Sequence, residues 1–537
     1  MRTVRLKMLL VLAACAVALA AISLVALNAV GDSNSDPTPS KSARAPGARG
    51  GGVRATRPLA PTAHPNIVFV LTDDLTTNLL RYMPTVRAMQ RNGLTFKDYF
   101  VSDSLCCPSR SSIFTGNFPH NTHVFGNSGP EGGFNQFYSR GEDRDTFAVA
   151  LKRAGYRTAM MGKFLNGYLE PSEHVAPTYI PPGWTQWDVA GEGYREFDYY
   201  LNENGALHWF GDQPKDYLTD VLARRGADFI NQVAGTGRPF FLELATFSPH
   251  HPFVPAPRDA SLFPDVKVPK GPAFDVLPTN APAWLAGHPP LTQTQIQRLN
   301  HIFRLRVQDV QSIDDMIRTI ESTLVLDGVS RDTYIVFSSD NGLHMGQYRL
   351  TTGKLTAFDT DIRVPLIIVG PGIRAGAHTD AMAENVDLAK TFAEIGGTTM
   401  PGDGHSLVPL FAGRTPSGWR NAILVEHHGP DLYHSDPDYQ EWPAGNPTTY
   451  EAMRTHDFLY VEYRNGEREF YNLRTDPYEL HNLADELTPI QSAMLHAELE
   501  KLERCRGLEC WKAMHVRSLA AMPGIRRFGQ FKAFTSR

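Results

Sequence analysis

Residues 66–74 read Asn66-Ile67-Val68-Phe69-Val70-Leu71-Thr72-Asp73-Asp74, five apolar residues in a row closed by a hydroxyl and two carboxylates. An unbroken apolar run of this length predicts a strand buried on both faces, as in a parallel sheet covered by helices. The pattern recurs. Tyr334-Ile335-Val336-Phe337 ends at Ser338-Ser339-Asp340-Asn341-Gly342, and Phe240-Phe241-Leu242-Glu243-Leu244 leads to Ser248-Pro249-His250-His251-Pro252. Arg157-Thr158-Ala159-Met160-Met161 leads to Gly162-Lys163, and Val364-Pro365-Leu366-Ile367-Ile368-Val369 stops at Gly370-Pro371-Gly372. Helical spacing fills the intervals, at 145–154 before Gly155 and over the amphipathic span 296–326. This alternation predicts an α/β fold, a doubly wound, mostly parallel sheet with helices on both faces. Ligands of such sheets sit beyond the carboxyl ends of the strands. Four of these strands end there in Asp, Asn, His or Lys.

Beyond about Leu410 the pattern changes. Segments 422–426, 458–463 and 468–473 predict strands, with Arg464-Asn465-Gly466-Glu467 as a hairpin turn. Segment 491–505 predicts a helix. Residues 66–410 therefore form the main domain, and 411–537 a smaller C-terminal antiparallel sheet with a helix.

The amino end differs again. Arg2, Arg5 and Lys7 precede an apolar run from Met8 to Val30, so 1–30 is a signal peptide or a membrane anchor. Residues 31–65, rich in Ser, Pro, Gly, Ala and Arg, form a flexible linker. Both point to an exported protein, secreted or held at the cell surface.

The chain has 537 residues, 42% hydrophobic and 20% charged, too apolar to be disordered. Its net charge is −5, and the first 65 residues hold eight Lys/Arg against two Asp/Glu, which leaves −11 on the remainder. Such a body does not attract nucleic acid, and an anionic substrate must find its attraction inside a pocket. Five cysteines do not make a disulfide scaffold, though Cys505 and Cys510 are close enough to pair in an exported chain.

Cys106 and Cys107 need another explanation. They open Cys106-Cys107-Pro108-Ser109-Arg110-Ser111-Ser112-Ile113-Phe114-Thr115-Gly116. Pro108 suits a first helical turn, which puts Cys106 at the positive end of a helix with Arg110 one turn on. That environment predicts a thiolate nucleophile in an anion site.

Cys-x-Pro-Ser-Arg followed by Thr-Gly resembles the signature of the type I sulfatases, with Phe114 where Leu or Met is usual. The resemblance extends to Asp73-Asp74, Gly162-Lys163, Pro249-His250, Asp340-Asn341-Gly342, Lys354 and 476–483, and so covers about residues 66–485. It implies an alkaline-phosphatase-like fold in which 66–410 is the catalytic domain. It implies that Cys106 is oxidised to formylglycine by a formylglycine-generating enzyme, and that the aldehyde hydrate attacks sulfur. The implied metal is calcium rather than magnesium, held by Asp73, Asp74, Cys106, Asp340 and Asn341. All-oxygen donors suit such a hard cation and not zinc. Arg110, Lys163 and Lys354 balance the three aspartates, and a divalent ion then tips the pocket toward anions. The implied catalytic set is Cys106, Arg110, Lys163, His250 and Lys354, with His250 protonating the leaving oxygen.

One departure stands out. Many sulfatases carry Gly-Lys-x-His, whose His falls on Leu165 here. The base for sulfate release is then His123 or His344, and both join Asn166 as candidate substrate-binding residues. The motifs Leu-Cys-Cys-Pro-Ser-Arg, 119–124 and Gly-Lys-Phe-Leu-Asn resemble N-acetylglucosamine-6-sulfatases and extracellular heparan endosulfatases. The implied partner is a sulfated glycan carrying 6-O-sulfated N-acetylglucosamine, or an aryl sulfate. His427-His428 stands as a candidate border of the pocket; Trp184, Trp187 and Trp209 are core or sugar platforms. Three alternatives remain at this stage: a phosphate or phosphonate ester hydrolase of the same superfamily, an exported glycan-binding protein if Cys106 stays unmodified, and a thiol enzyme that uses the unmodified Cys106.

Overall fold

β1 (Asn66–Thr72) is buried along its whole length. Its side chains alternate between two cores: Ile67, Phe69 and Leu71 enter one, Val68 and Val70 the other. That two-sided burial is why the run has no polar interruption. The structure is a computed structural model and describes residues 64–170 and 175–517. The signal or anchor at 1–30, and all of the linker 31–65 except its last two residues, lie outside the described residues. No helix among the described residues is long and apolar enough to cross a membrane.

β1 lies near the middle of a ten-stranded sheet. The other strands are β2 (Leu94–Phe96), β3 (Arg157–Lys163), β4 (Gln186–Ala190), β5 (Tyr199–Glu203), β6 (Ala206–Phe210), β7 (Phe240–Ala245), β8 (Thr333–Ser339), β9 (Leu366–Val369) and β10 (Ala377–Thr379). Their spatial order is β10-β2-β9-β8-β1-β7-β3-β4-β5-β6. The run β8-β1-β7-β3-β4 is parallel throughout, with Val68 beside Ile335 and Leu242. Its flanks turn antiparallel. The 364–369 segment starts as a strand only after Pro365, which has no N–H to give, and runs against β8. An apolar run carries no mark of strand direction, so this reversal is a structural finding.

Helices cover both faces: α1 (Cys106–Thr115), α2 (Phe147–Arg153), α3 (Leu218–Ala234), α4 (Gln293–Leu326) and α5 (Asp387–Ile395). Phe114, Leu151 and Phe392 bring α1, α2 and α5 into the core of Phe69. Leu222, Ile230, Phe303 and Ile317 bring α3 and α4 into that of Val68. Trp184 and Trp187 belong to the first core, whereas Trp209 is exposed.

The C-terminal sheet is antiparallel, in the order β11 (Ala422–His427), β12 (Tyr450–Thr455), β13 (Phe458–Tyr463) and β14 (Arg468–Asn472). β12 is the strand the sequence did not announce, because Glu451 and Arg454 break its apolar pattern. α6 (Pro489–Glu503) begins in a capping box of Thr488 and Gln491 and packs Leu495 and Leu499 against Leu424 and Tyr460. Cys505 and Cys510 form a disulfide beside this core.

Candidate active site

Four neighbouring strands, β8, β1, β7 and β3, deliver their carboxyl ends to one place. β1 runs into Asp73 and Asp74, β8 into Asp340 and Asn341, β7 into the turn carrying His250, and β3 ends on Lys163. Asp74 takes a left-handed φ of 62°, a conformation aspartate tolerates better than most residues. The Asp340 carboxylate holds that bend. Its Oδ1 accepts from the N–H groups of Asp74 at 3.2 Å and Asn341 at 2.8 Å, and its Oδ2 from Arg110 Nε at 2.7 Å.

α1 begins at Cys106 and is buried throughout. Cys106 Sγ lies 3.2 Å from Asp73 Oδ1, 3.6 Å from Asn341 Oδ1 and 3.1 Å from Lys354 Nζ. Lys163 pairs with Asp73 Oδ2, and Lys354 Nζ donates to Asp74 Oδ1 at 2.7 Å. Asn341 Nδ2 donates to Asp74 Oδ1 at 2.6 Å, and Arg110 Nη1 to the Lys163 carbonyl at 3.0 Å. Asp73, Asp74, Asp340, Asn341, Cys106, Arg110, Lys163, Lys354 and His250 thus converge, from segments more than 200 residues apart in sequence.

The site also contains a residue absent from the sequence reading. Asp438, on the loop between β11 and β12, is buried with both oxygens engaged. Oδ1 meets His250 Nε2 and Lys354 Nζ, each at 2.7 Å; Oδ2 accepts from Asn127 Nδ2 at 2.7 Å and lies 3.3 Å from Cys106 Sγ. The local signal, Asp436-Pro437-Asp438, looks like an ordinary turn in a proline-rich loop, and only the fold carries it to the strand tips.

Asp438 reshapes the electrostatics. Burial works against a charged His250, but Asp438, Asp74 and Asp73 outweigh it and raise its pKa to about 9. Lys163 and Lys354 are likewise held charged against the cost of burial, by Asp73 and by Asp438 with Asp74. The thiol behaves opposite to expectation. Burial, Asp438 and Asp73 push Cys106 well above the ordinary thiol range, so the helix terminus does not make a thiolate here. Cys107 is pushed up to about 12 by burial and accepts from the Asn166 N–H at 3.1 Å.

The remaining candidates fall away from this centre or beside it. His344 is a satisfied core histidine, with Nδ1 2.9 Å from Asp361 and Nε2 2.7 Å from the Ala444 carbonyl. Both nitrogens face acceptors, so neither is free to take a proton from the substrate site. His123 is half-buried, and the charges acting on it belong to Arg140, Arg506, His120 and Glu131 rather than to the Cys106 cluster. Leu165 is buried in the first core. Asn166 borders a cavity of 390 Å³ together with Asn127 and Glu192, and its buried Nδ2 has no partner among the described residues. His427 and His428 line a different cavity of 600 Å³ that shares Asn127.

The donor set tests the metal. One ligand atom each from Asp73, Asp74, Cys106 and His250 lie within 4.8 Å of one another, and Asn341 Oδ1 reaches the same sulfur. Two buried carboxylates and an amide oxygen fit a hard divalent cation.

A buried nucleophile position, oxygen donors for a cation and a ring of fixed positive charge at the tips of a doubly wound sheet define an ester hydrolase built to take an anion. The family description "Sulfatase" matches residues 65–398, and "N-sulphoglucosamine sulphohydrolase, C-terminal" matches 348–505. The chain belongs to the sulfatase family, and it is a sulfatase. It is 33% identical to the N-acetylglucosamine-6-sulfatase of Homo sapiens over 84% of this chain and 86% of that protein. It is 35% identical to the extracellular sulfatase SULF-1 homolog of Drosophila melanogaster over 68% of this chain and 33% of that one. A solved structure of a protein in complex with its substrate D-glucosamine-2-N,6-O-disulfate has a TM-score of 0.64 at 23% identity, covering 84% of this chain and 98% of the other. The fold is alkaline-phosphatase-like.

Proposed function

We propose that this sulfatase is exported and releases sulfate from 6-O-sulfated N-acetylglucosamine within a sulfated glycan, with formylglycine made from Cys106 by a formylglycine-generating enzyme. The observation that carries the reading is Cys106 at the start of a buried helix, held between Asp73 and Lys354 over the tips of four parallel strands. Formylglycine, as its hydrate, would supply one hydroxyl to attack sulfur and a second whose loss of a proton could expel sulfate and restore the aldehyde, which an ordinary cysteine or serine lacks. Calcium, with Asp73, Asp74, Asp340, Asn341 and residue 106 as its holders, supplies Lewis-acid polarisation of sulfate oxygens.

The chain's own residues do the rest. Lys163 and Lys354, buried and held charged, fix two sides of the sulfate group, and Arg110 locks Asp340 beneath it. His250 carries a proton on Nε2 at neutral pH and gives it to the leaving sugar oxygen.

Two features support a glycan. A cleft of 510 Å³ opens from Asp74, His250 and Lys354, with Trp442 and Arg298 farther along its walls. Arg298 has no ion-pair partner among the described residues, which favours a second anionic group on the same substrate. The Cys505–Cys510 disulfide supports an oxidising, exported setting. The test is a screen of sulfated monosaccharides, oligosaccharides, aryl sulfates and phosphate esters, run beside the mass of the peptide containing residue 106. Release of 6-O-sulfate with the aldehyde present is expected. Preference for phosphate esters, or turnover with an intact thiol, would reject the reading.

A further inference from the structure

Tyr194 stands between two charged residues of the site, His250 and Lys163. The ring of Tyr194 packs against His250 with centroids 4.7 Å apart, and Lys163 Nζ sits 4.9 Å from the same ring. Phe247 supports the ring from a third direction, at 5.0 Å. These two flanking groups are the ones that handle the leaving oxygen and the sulfate. The ring is partly exposed, yet its hydroxyl oxygen is buried and has no hydrogen-bond partner among the described residues.

A buried, unpaired hydroxyl is destabilising, and most such groups in proteins are satisfied. The surroundings hold charged groups already engaged with one another: Lys163 with Asp73, His250 with Asp438. None of these pairs includes Tyr194. A group left unsatisfied between the general acid and a sulfate-holding lysine is placed to be satisfied by whatever enters.

We propose that the Tyr194 hydroxyl donates a hydrogen bond to a non-bridging oxygen of the bound sulfate group, a catalytic contact between Lys163 and His250. The contact suits donation alone. Burial and nearby negative charge hold the phenol far above the ordinary tyrosine range, so it stays protonated. It therefore takes no part as a base.

The inference rests on the sulfatase reading but not on the glycan, so an aryl sulfate serves as the substrate. Tyr194→Phe keeps the ring against His250 and Lys163 and removes only the oxygen. It should lower kcat/KM about 10- to 100-fold and weaken inhibition by inorganic sulfate by a similar factor, with a melting temperature no lower than that of the wild type. Unchanged kcat/KM and unchanged sulfate inhibition overturn the proposal. A loss of activity with unchanged sulfate inhibition also overturns it, because the ring would then act only by orienting His250. Absence of turnover in the wild-type enzyme with residue 106 converted would instead strike at the formylglycine reading.

Discussion

The Asp438 carboxylate meets His250 Nε2 at 2.7 Å, joining a loop of the C-terminal sheet to the turn after β7. The same oxygen takes Lys354 at 2.7 Å, so an internal anion lies among the buried cations of the site. Asp438 is held ionised, well below the usual carboxylate range, by Lys354 and His250 against the cost of burial. A like charge in a water-poor pocket opposes an incoming anion. Asp438→Asn should therefore tighten inhibition by inorganic sulfate about tenfold, since 1.4 kcal/mol is enough for that factor. Weaker sulfate inhibition in the variant would mean that Asp438 holds the cations in place rather than competing for them.

Cys106→Ala should lower sulfate release at least about 1,000-fold, the scale expected when a nucleophile is removed and binding groups remain. Far-ultraviolet circular dichroism should be unchanged, because the residue is small and its contacts are polar rather than core-forming. Cys106→Ser should be as inactive, and mass spectrometry should find a fraction carrying a stable sulfate ester.

Removal of divalent metal by a chelator should lower activity by about 100-fold or more, with calcium restoring it and zinc failing to. Without the cation, the charged and polar side chains beside Asp73 and Asp74 among the described residues are Lys163, Lys354, His250, Cys106 and the amide of Asn341. Asp73→Asn should raise the calcium needed for half-maximal activity. Rescue by zinc alone would contradict the oxygen donor set.

The strand tips were legible in the chain because buried parallel strands leave an unmistakable run, and Asp73, Lys163, His250 and Asp340 each follow one. Cys106 was legible through its signature. The directions of β9 and of the edge strands were not, since Leu366–Val369 has the same composition either way. Asp438 and Tyr194 were hidden for a different reason. Each sits on a loop of ordinary turn residues, and what makes it part of the site is a contact across the fold: with His250 from 188 residues away for Asp438, and with Lys163 and His250 for Tyr194. His344 shows the converse. Its sequence position beside Asp340-Asn341-Gly342 suggests chemistry, but Asp361 and the Ala444 carbonyl consume both nitrogens.

Arg298 and Gln295 lie one turn apart on α4 and face the cleft that leads to Lys354. For a glycan with a second sulfate or a carboxylate, Arg298→Gln should raise KM about 5- to 20-fold, the scale of one charge-assisted hydrogen bond. KM for an aryl sulfate, which carries no second anionic group, should stay the same. An equal rise for both substrates would show that Arg298 shapes the cleft rather than reading the glycan.

Stability should depend on pH through His120, which ties the segment after α1 to the C-terminal sheet. Nδ1 lies 2.9 Å from the Glu426 carboxylate and Nε2 2.8 Å from the Cys505 carbonyl, so both nitrogens serve as donors. Burial disfavours the imidazolium, but Glu426 and the carbonyl outweigh it and raise the pKa to about 9 from 6.5. A raised folded-state pKa stabilises fully below the unfolded value and ceases to do so as pH climbs through the folded one. The melting temperature should hold below pH 6.5 and fall between there and pH 9, with a loss of at most about 3.5 kcal/mol at 1.4 kcal/mol per tenfold step. His120→Gln should start less stable at pH 6 and show a flatter profile across that window. An unchanged slope in the variant would assign the alkaline loss to another group.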